Sequence, residues 1–202
     1  QGPIYWRLGL AALCLLLVQS AVGGFTVFDK NSPWSVAIHL TLASLLLATA
    51  VSMLRIAKSG YVMRLNTASL VPLGFAALIL LTMVSGAIVA KTGSALSCGG
   101  WPLCNGSVFP ALDDINETLH FSHRMLALVT VVGLVWAGWY MRELRHAMVL
   151  SLFQVLMGLG VIFVYDGGVF GLQVTMGALH QLFAIIIFVA LVWGFWSTSR
   201  VQ

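Results

Sequence analysis

Apolar residues in this chain come in long runs divided by a few charges. Charge-free stretches cover 8–28, 31–54, 65–90, 125–141, 146–165 and 167–199, which is 21, 24, 26, 17, 20 and 33 residues. A helix rises about 1.5 Å per residue and the hydrocarbon core of a bilayer is about 30 Å thick, so about 20 apolar residues span it. The pattern therefore predicts an all-α integral membrane protein with six transmembrane helices. A seventh uncharged gap, 92–112, contains Gly93, Cys98, Gly99, Gly100, Pro102, Cys104, Gly106 and Pro110. That composition cannot keep its backbone hydrogen-bonded in lipid, so 91–119 is expected to be a loop outside the membrane.

Composition sharpens this picture. Of 202 residues, 60% are hydrophobic and only 8% charged, with a net charge of +4. Soluble domains run at about a quarter charged, so a soluble enzyme is excluded. A nucleic-acid-binding module is excluded as well, because the basic residues are few and scattered. A disordered chain would be poor in apolar residues, which dominate here. The solvent is the lipid bilayer.

The basic residues set the orientation. Arg7, Arg55, Lys58, Arg64, Arg142, Arg145 and Arg200 fall on one side if the helices alternate, and only Lys30, Lys91 and Arg124 on the other. Both termini and the 55–66 and 142–146 loops are therefore expected on the cytoplasmic or matrix side. The loops at 28–33, 91–119 and 166–169 are expected outside, in a bacterial or archaeal plasma membrane or the mitochondrial inner membrane. The first stretch is long for a signal peptide and shows no obvious small-residue cleavage site, so it reads as a retained helix. Trp34, Trp101, Trp136, Trp139, Trp193 and Trp196 lie mostly near helix ends and read as an interfacial belt.

The three cysteines differ in setting. Cys14, among Leu and Ala in mid-helix, reads as a small core residue. Cys98 and Cys104 flank five loop residues with two Gly and one Pro, which lets their Cα atoms approach disulfide range. An oxidising outer compartment favours that bond. A structural staple and a redox-active pair both remain open.

Histidines carry the most chemistry. His146 sits at the cytoplasmic end of a helix and reads as exposed. His39, His120, His123 and His180 all fall in the outer half of the membrane. Polar side chains inside a bilayer are expensive and usually functional, and bundle-core imidazoles on facing helices are suited to holding haem iron. His123 and His39 lie about 6–9 Å in, counted from their loops. His180 lies about a turn deeper or more, unless the sixth helix starts only near Val174.

An internal repeat links two of these residues. Gln19-x-x-x-Gly23 is followed by an aromatic, Asp-containing turn and a helix bearing His39. Gln154-x-x-x-Gly158 is followed by a similar turn and a helix bearing His180. Both begin on the same side, so helices 1–2 copy helices 5–6 as a parallel repeat. Helices 3–4 show no such copy. The expected organisation is a helix pair at 1–54, a linker at 55–66 and a four-helix half at 67–202.

The run Gly86-Ala-Ile-Val-Ala-Lys91-Thr-Gly-Ser94, then Cys98-Gly-Gly-Trp-Pro-Leu-Cys104-Asn-Gly106, then His123-Arg124 resembles the haem A synthase family. The Gln-x-x-x-Gly helix followed by a His-bearing helix resembles the second half of that family's four-helix unit. The resemblance covers about residues 15–195. It implies an eight-helix plan of two four-helix halves, each with a pair of His ligands, and oxidation of a haem O methyl to the formyl of haem A. One half would hold haem b, the other the haem O substrate. Carried over by position, His123 and His180 ligate one haem, here haem b, and His39 belongs to the preceding half. The chain thus resembles the family minus its first two helices, with the partner of His39 lying before residue 1. Cys98 and Cys104 match the family's cysteine pair, and Arg124 and Lys91 are candidates to pair with haem propionates. An electron donor, haem O synthase or other membrane subunits, and a second copy of the chain are the implied partners.

One departure matters for catalysis. The family's catalytic half has a Glu three residues before the loop-proximal His, where this chain has His120; Glu117 stands three residues further back and reads as facing outer water. The 67–202 half therefore resembles the cofactor half. Two imidazoles on one iron suit electron transfer. A haem-modifying oxidoreductase is the first expectation, and a non-catalytic haem b subunit for electron transfer or assembly is the second.

Overall fold

The computed structural model describes residues 2–59, 65–166 and 170–199. Arg64, Arg200 and the Gly167-Gly168 turn, used above for orientation and depth, lie outside the described residues. Six helices follow one another: α1 (Gly2–Phe28), α2 (Pro33–Ser59), α3 (Thr67–Lys91), α4 (Ile115–Tyr140), α5 (Arg145–Asp166) and α6 (Phe170–Thr198). Each contains a segment long and apolar enough to cross a membrane. No strand occurs among the described residues, only an isolated bridge between Cys104 and Ser107 in the loop after α3.

Local sequence explains the helix ends. Asn66 caps α3 by accepting from the Ser69 amide at 2.8 Å, and the Ser69 hydroxyl returns the contact to the Asn66 amide at 3.1 Å. The helix stops after Thr92, where Gly93 takes φ +74°, a left-handed conformation that L side chains rarely adopt. Asp114 caps α4, accepting from the Asn116 and Glu117 amides at 2.8 and 3.3 Å.

That cap corrects two expected boundaries. The outer loop ends at Asp114 instead of residue 119, and α4 runs through Glu117 and Arg124 before reaching the charge-free 125–141 stretch. The charges are tolerated because the preceding loop folds over this end of the helix and bonds to both side chains. His123 therefore lies eight residues into its helix, about 12 Å, and His180 ten residues into α6, about 15 Å. The two depths match because α4 starts early. A late start of α6 at Val174 is not needed, and the helix begins at Phe170.

Helix α3 packs on α4, α4 on α5, α5 on α6, and α6 back on α3, closing a four-helix bundle with α4 and α6 on one diagonal. Helix α2 packs against α3 and α6, and α1 rests on α2. With so little of its surface covered, α1 turns Cys14 outward, so that thiol is exposed and not a core residue.

The bundle closes at one end only. Away from the cysteine loop, Ile79, Met83, Leu134, Leu144, Ile187, Phe188 and Leu191 form a continuous buried cluster. Toward the loop, no described residue is buried in 121–129 of α4, 152–164 of α5 or 171–183 of α6. Large side chains fill the first half; glycines and the histidines occupy the second.

A polar clasp at the closed end ties α2 to α6. The Trp196 indole donates to Ser52 Oγ at 2.8 Å, and Arg55 donates to Ser197 Oγ at 2.9 Å with its guanidinium 4.2 Å from the Trp193 ring centroid. Trp193 and Trp196 thus serve helix packing. Trp34, Trp101, Trp136 and Trp139 are exposed, as an interfacial belt requires.

The burial pattern predicts where packing carries stability. Leu134→Ala, at a fully buried position of α4, should destabilise the fold by about 2–5 kcal/mol. Leu128→Ala, on the exposed side of the same helix, should change stability little. Unfolding of both variants in detergent micelles checks the difference, and equal losses would contradict the assigned core.

Candidate functional site

His39, His123 and His180 each rest on a glycine of the neighbouring helix. A Cβ added at Gly23 would lie 2.8 Å from His39 Cε1, at Gly86 2.9 Å from His123 Cε1, and at Gly158 3.2 Å from His180 Cε1. The first two separations are shorter than real Cβ contacts, so a side chain at Gly23 or Gly86 would displace the ring; at Gly158 the ring would have to give by a few tenths of an ångström. The α3–α4 hairpin therefore carries the same seat as the other two. The expectation that helices 3–4 lack a copy is corrected. Sequence comparison missed it because α3 has Thr82 where the other copies have Gln19 and Gln154.

His123 is held by α3. The Ser85 hydroxyl donates to the Thr82 carbonyl at 2.8 Å and stands 2.8 Å from His123 Nδ1. A hydroxyl has one proton to give; with it given to Thr82, Oγ would accept an Nδ1–H and leave the lone pair on Nε2. Among the described residues nothing hydrogen-bonds to that Nε2. This is the tautomer a metal ligand needs. Ser85 escaped sequence reasoning because the other two hairpins have apolar residues, Val22 and Met157, at the same place.

His180 is held differently. Gln154 Nε2 donates to the His180 carbonyl at 2.9 Å and lies 3.4 Å from the ring's Nε2. The ring's Nδ1 and Gln154 Oε1 are both buried without a partner, and so are His39 Nδ1 and Gln19 Oε1 in the α1–α2 copy. His123 and His180 belong to helices on one diagonal of the bundle.

His120 does something else. Its Nδ1 faces the Cys98 amide at 3.3 Å and its Nε2 faces Arg124 Nε at 3.1 Å. A neutral imidazole accepts at one nitrogen, so it takes one of these donors at a time. Both edges of the ring are turned to the loop. Arg124 completes the clamp by donating to the carbonyls of Cys98 at 2.7 Å, Gly100 at 3.0 Å and Leu103 at 3.4 Å. Lys91 stands exposed at the end of α3.

Cys98 and Cys104 are bonded, with Cα atoms 4.4 Å apart, and both are buried. Beneath them Glu117 is half-buried, not turned to outer water as its position suggested. Its carboxylate accepts from Asn105 Nδ2 at 2.5 Å and from the Ala111 amide at 2.9 Å. The whole outer end of α4 thus forms a platform for the loop.

Among the described residues no three His, Cys, Asp or Glu side chains cluster as a chelating metal centre. The arrangement is instead a pair of imidazoles on a diagonal, in an open half-bundle beneath a clamped loop.

The clamp has a measurable consequence. Arg124→Leu removes three carbonyl contacts from one charged group, each charge-assisted bond being worth about 1.5–3 kcal/mol. Amide hydrogen exchange across 98–105 should quicken by about tenfold or more, with the buried α3–α6 cluster unaffected. Unchanged exchange in the loop would remove Arg124 from this role.

The sequence profile of the cytochrome oxidase assembly protein family matches residues 2–192. Among curated proteins, similar relatives named haem A synthase occur in Alkalihalophilus pseudofirmus, Bacillus licheniformis and Shouchella clausii, at 35%, 34% and 36% identity. The matches cover 50%, 54% and 56% of this chain and 36%, 38% and 40% of the relatives. The chain thus aligns with about two fifths of each relative's own length. With the profile spanning nearly all of the six helices, the chain belongs to the cytochrome oxidase assembly protein family.

Proposed function

We propose that this chain is a haem-binding membrane oxidoreductase of the haem A synthase kind, in which His123 and His180 would hold a haem b. The observation that carries the reading is the pair of glycine-seated imidazoles on diagonal helices, in the half of the bundle where α4, α5 and α6 bury no described residue. Neutral imidazoles on facing helices of a bundle would suit haem iron. The residues present fit the group: Gly86 and Gly158 keep the walls thin, Ser85 stands 2.8 Å from His123 Nδ1, and His180 Nδ1 is buried without a partner.

In this reading a bound haem supplies one-electron redox chemistry. His123 and His180 hold it, and the Arg124-clamped loop limits water at its outer edge. Arg124 and Lys91 are the cations of that end and supply charge toward the propionates. His39, seated on Gly23 in the copied hairpin, belongs to a second haem site that handles haem O, the substrate oxidised to haem A. The Cys98–Cys104 bond acts as a staple of the loop, which lies on the outer side of a plasma membrane with both termini on the inner side.

A specific observation favours a second reading for the 67–202 half taken alone. The place of the family's catalytic Glu holds His120, whose ring is committed to the loop, and Glu117 is engaged by Asn105 and Ala111. Neither group is free to move a proton beside His123. In the second reading this half passes electrons or supports assembly, and oxidation of the methyl takes place elsewhere.

Haem content separates the readings. Detergent-purified protein should contain haem b, and extraction with chromatography should also recover haem O, its hydroxylated form or haem A if the substrate site operates. Haem b alone would favour the electron-transfer reading. His123→Ala and His180→Ala should each abolish haem b retention, while His39→Ala should leave it. Stoichiometric haem b in both of the first two variants would sink the ligand assignment.

A further inference from the structure

We infer that the loop segment 108–112 is a lipid anchor, whose apolar side chains rest in the interfacial layer of the leaflet on the cysteine-loop side. The inference is independent of what the open half of the bundle binds.

Val108, Phe109 and Leu112 are 67%, 73% and 85% exposed. A cluster of bare apolar side chains on a loop marks a surface that something covers. What covers it follows from where Phe109 sits. Its ring centroid lies 6.4 Å from that of Phe121 on α4. At 3.6 residues per turn, Phe121, Leu128, Val132 and Trp139 fall on one stripe of that helix. The last three are exposed, and α4 is apolar and long enough to cross a membrane, so the stripe meets lipid. Phe109 therefore covers the end of a lipid-facing stripe and not a face turned to the bundle. A protein partner on the patch would have to displace lipid from a surface continuous with it.

Depth agrees with this placement. Phe121 and Trp139 are 18 residues apart, about 27 Å along the helix, against about 30 Å of hydrocarbon core. Trp136, Trp139 and Tyr140 form an exposed aromatic end of α4 of the kind that marks one membrane interface. With Trp139 at that interface, Phe121 and the Phe109 ring against it lie at the other. Irregular backbone is acceptable there, since headgroups and water satisfy polar groups that the hydrocarbon core could not. The segment also limits its own demand. Pro110 has no N–H, the Ala111 amide donates to Glu117 at 2.9 Å, and the Ala111 carbonyl accepts from the Asp114 amide at 3.1 Å. The exposed carboxylates of Asp113 and Asp114 then return the chain to water. The loop thus has two holds, a polar one on Arg124 and Glu117 and an apolar one on lipid.

The test uses the full chain in lipid nanodiscs, with Cys14→Ser removing the exposed free thiol and the Cys98–Cys104 bond left intact. An environment-sensitive fluorophore is attached at Leu112→Cys and, separately, at Phe109→Cys. Lys30→Cys, exposed in the turn between α1 and α2, is the water reference, and Leu128→Cys is the lipid reference. Leu112→Cys keeps the contact between Phe109 and Phe121, so it reports the position even if Phe109→Cys loosens the loop. Emission from 112 should shift to the blue, toward the value at 128. A lipid carrying a nitroxide near the top of its acyl chain should quench it, and aqueous iodide should quench it less than at Lys30→Cys. Iodide quenching at 112 equal to that of the water reference, with the nitroxide lipid ineffective, would overturn the anchor. A label at 112 shielded from both quenchers would overturn it as well, because a protein partner would then occupy the patch.

Discussion

A histidine ring seated on a glycine of the neighbouring helix governs the spacing of all three hairpins in this protein. In lipid there is no hydrophobic drive between helices, so close approach depends on small residues and on polar contacts that have nowhere else to go. Gly23, Gly86 and Gly158 provide the first, and His39, His123 and His180 the second. Any larger residue at Gly23 or Gly86 would push the ring out or the helices apart.

The division of the bundle follows from that choice. One end is packed with Leu, Ile, Phe and Met from α3, α4 and α6, and is braced from outside by the Ser52, Arg55, Trp193 and Trp196 contacts. The other end has rings and glycines, and it would be open to water without a cover. The loop after α3 supplies the cover, and its position depends on charges that helix α4 brings to the surface. Arg124 holds three loop carbonyls, and Glu117 holds Asn105 and the Ala111 amide. The platform is polar because it lies where the helix leaves the hydrocarbon, and the same groups placed deeper would have no such partners.

Much of this is legible in the sequence. Spacing between charges located six helices, and the repeat of Gln, Gly and His identified α1–α2 as a copy of α5–α6. Where the reading failed, it failed for physical reasons. Cys14 was expected inside because its neighbours are apolar, but apolar neighbours in a membrane say nothing about which face meets protein and which meets lipid. The start of α4 was placed late because Glu117 and Arg124 looked unfit for a membrane helix, and their partners in the loop are distant in sequence.

The linear order of residues by itself determined the class of the protein, because the length of an apolar run is set by bilayer thickness and every backbone group within it must bond to its own helix. It also singled out the side chains proposed to carry chemistry, since intramembrane histidines are few. Only the tertiary structure decided what each one does. His120 and His123 are three residues apart on the same helix, yet one is turned to the loop and the other to Ser85 and Gly86. That difference arises from contacts across helices, where the glycine seat, the hydroxyl and the loop carbonyls are brought together by packing, and sequence spacing along one helix does not contain it.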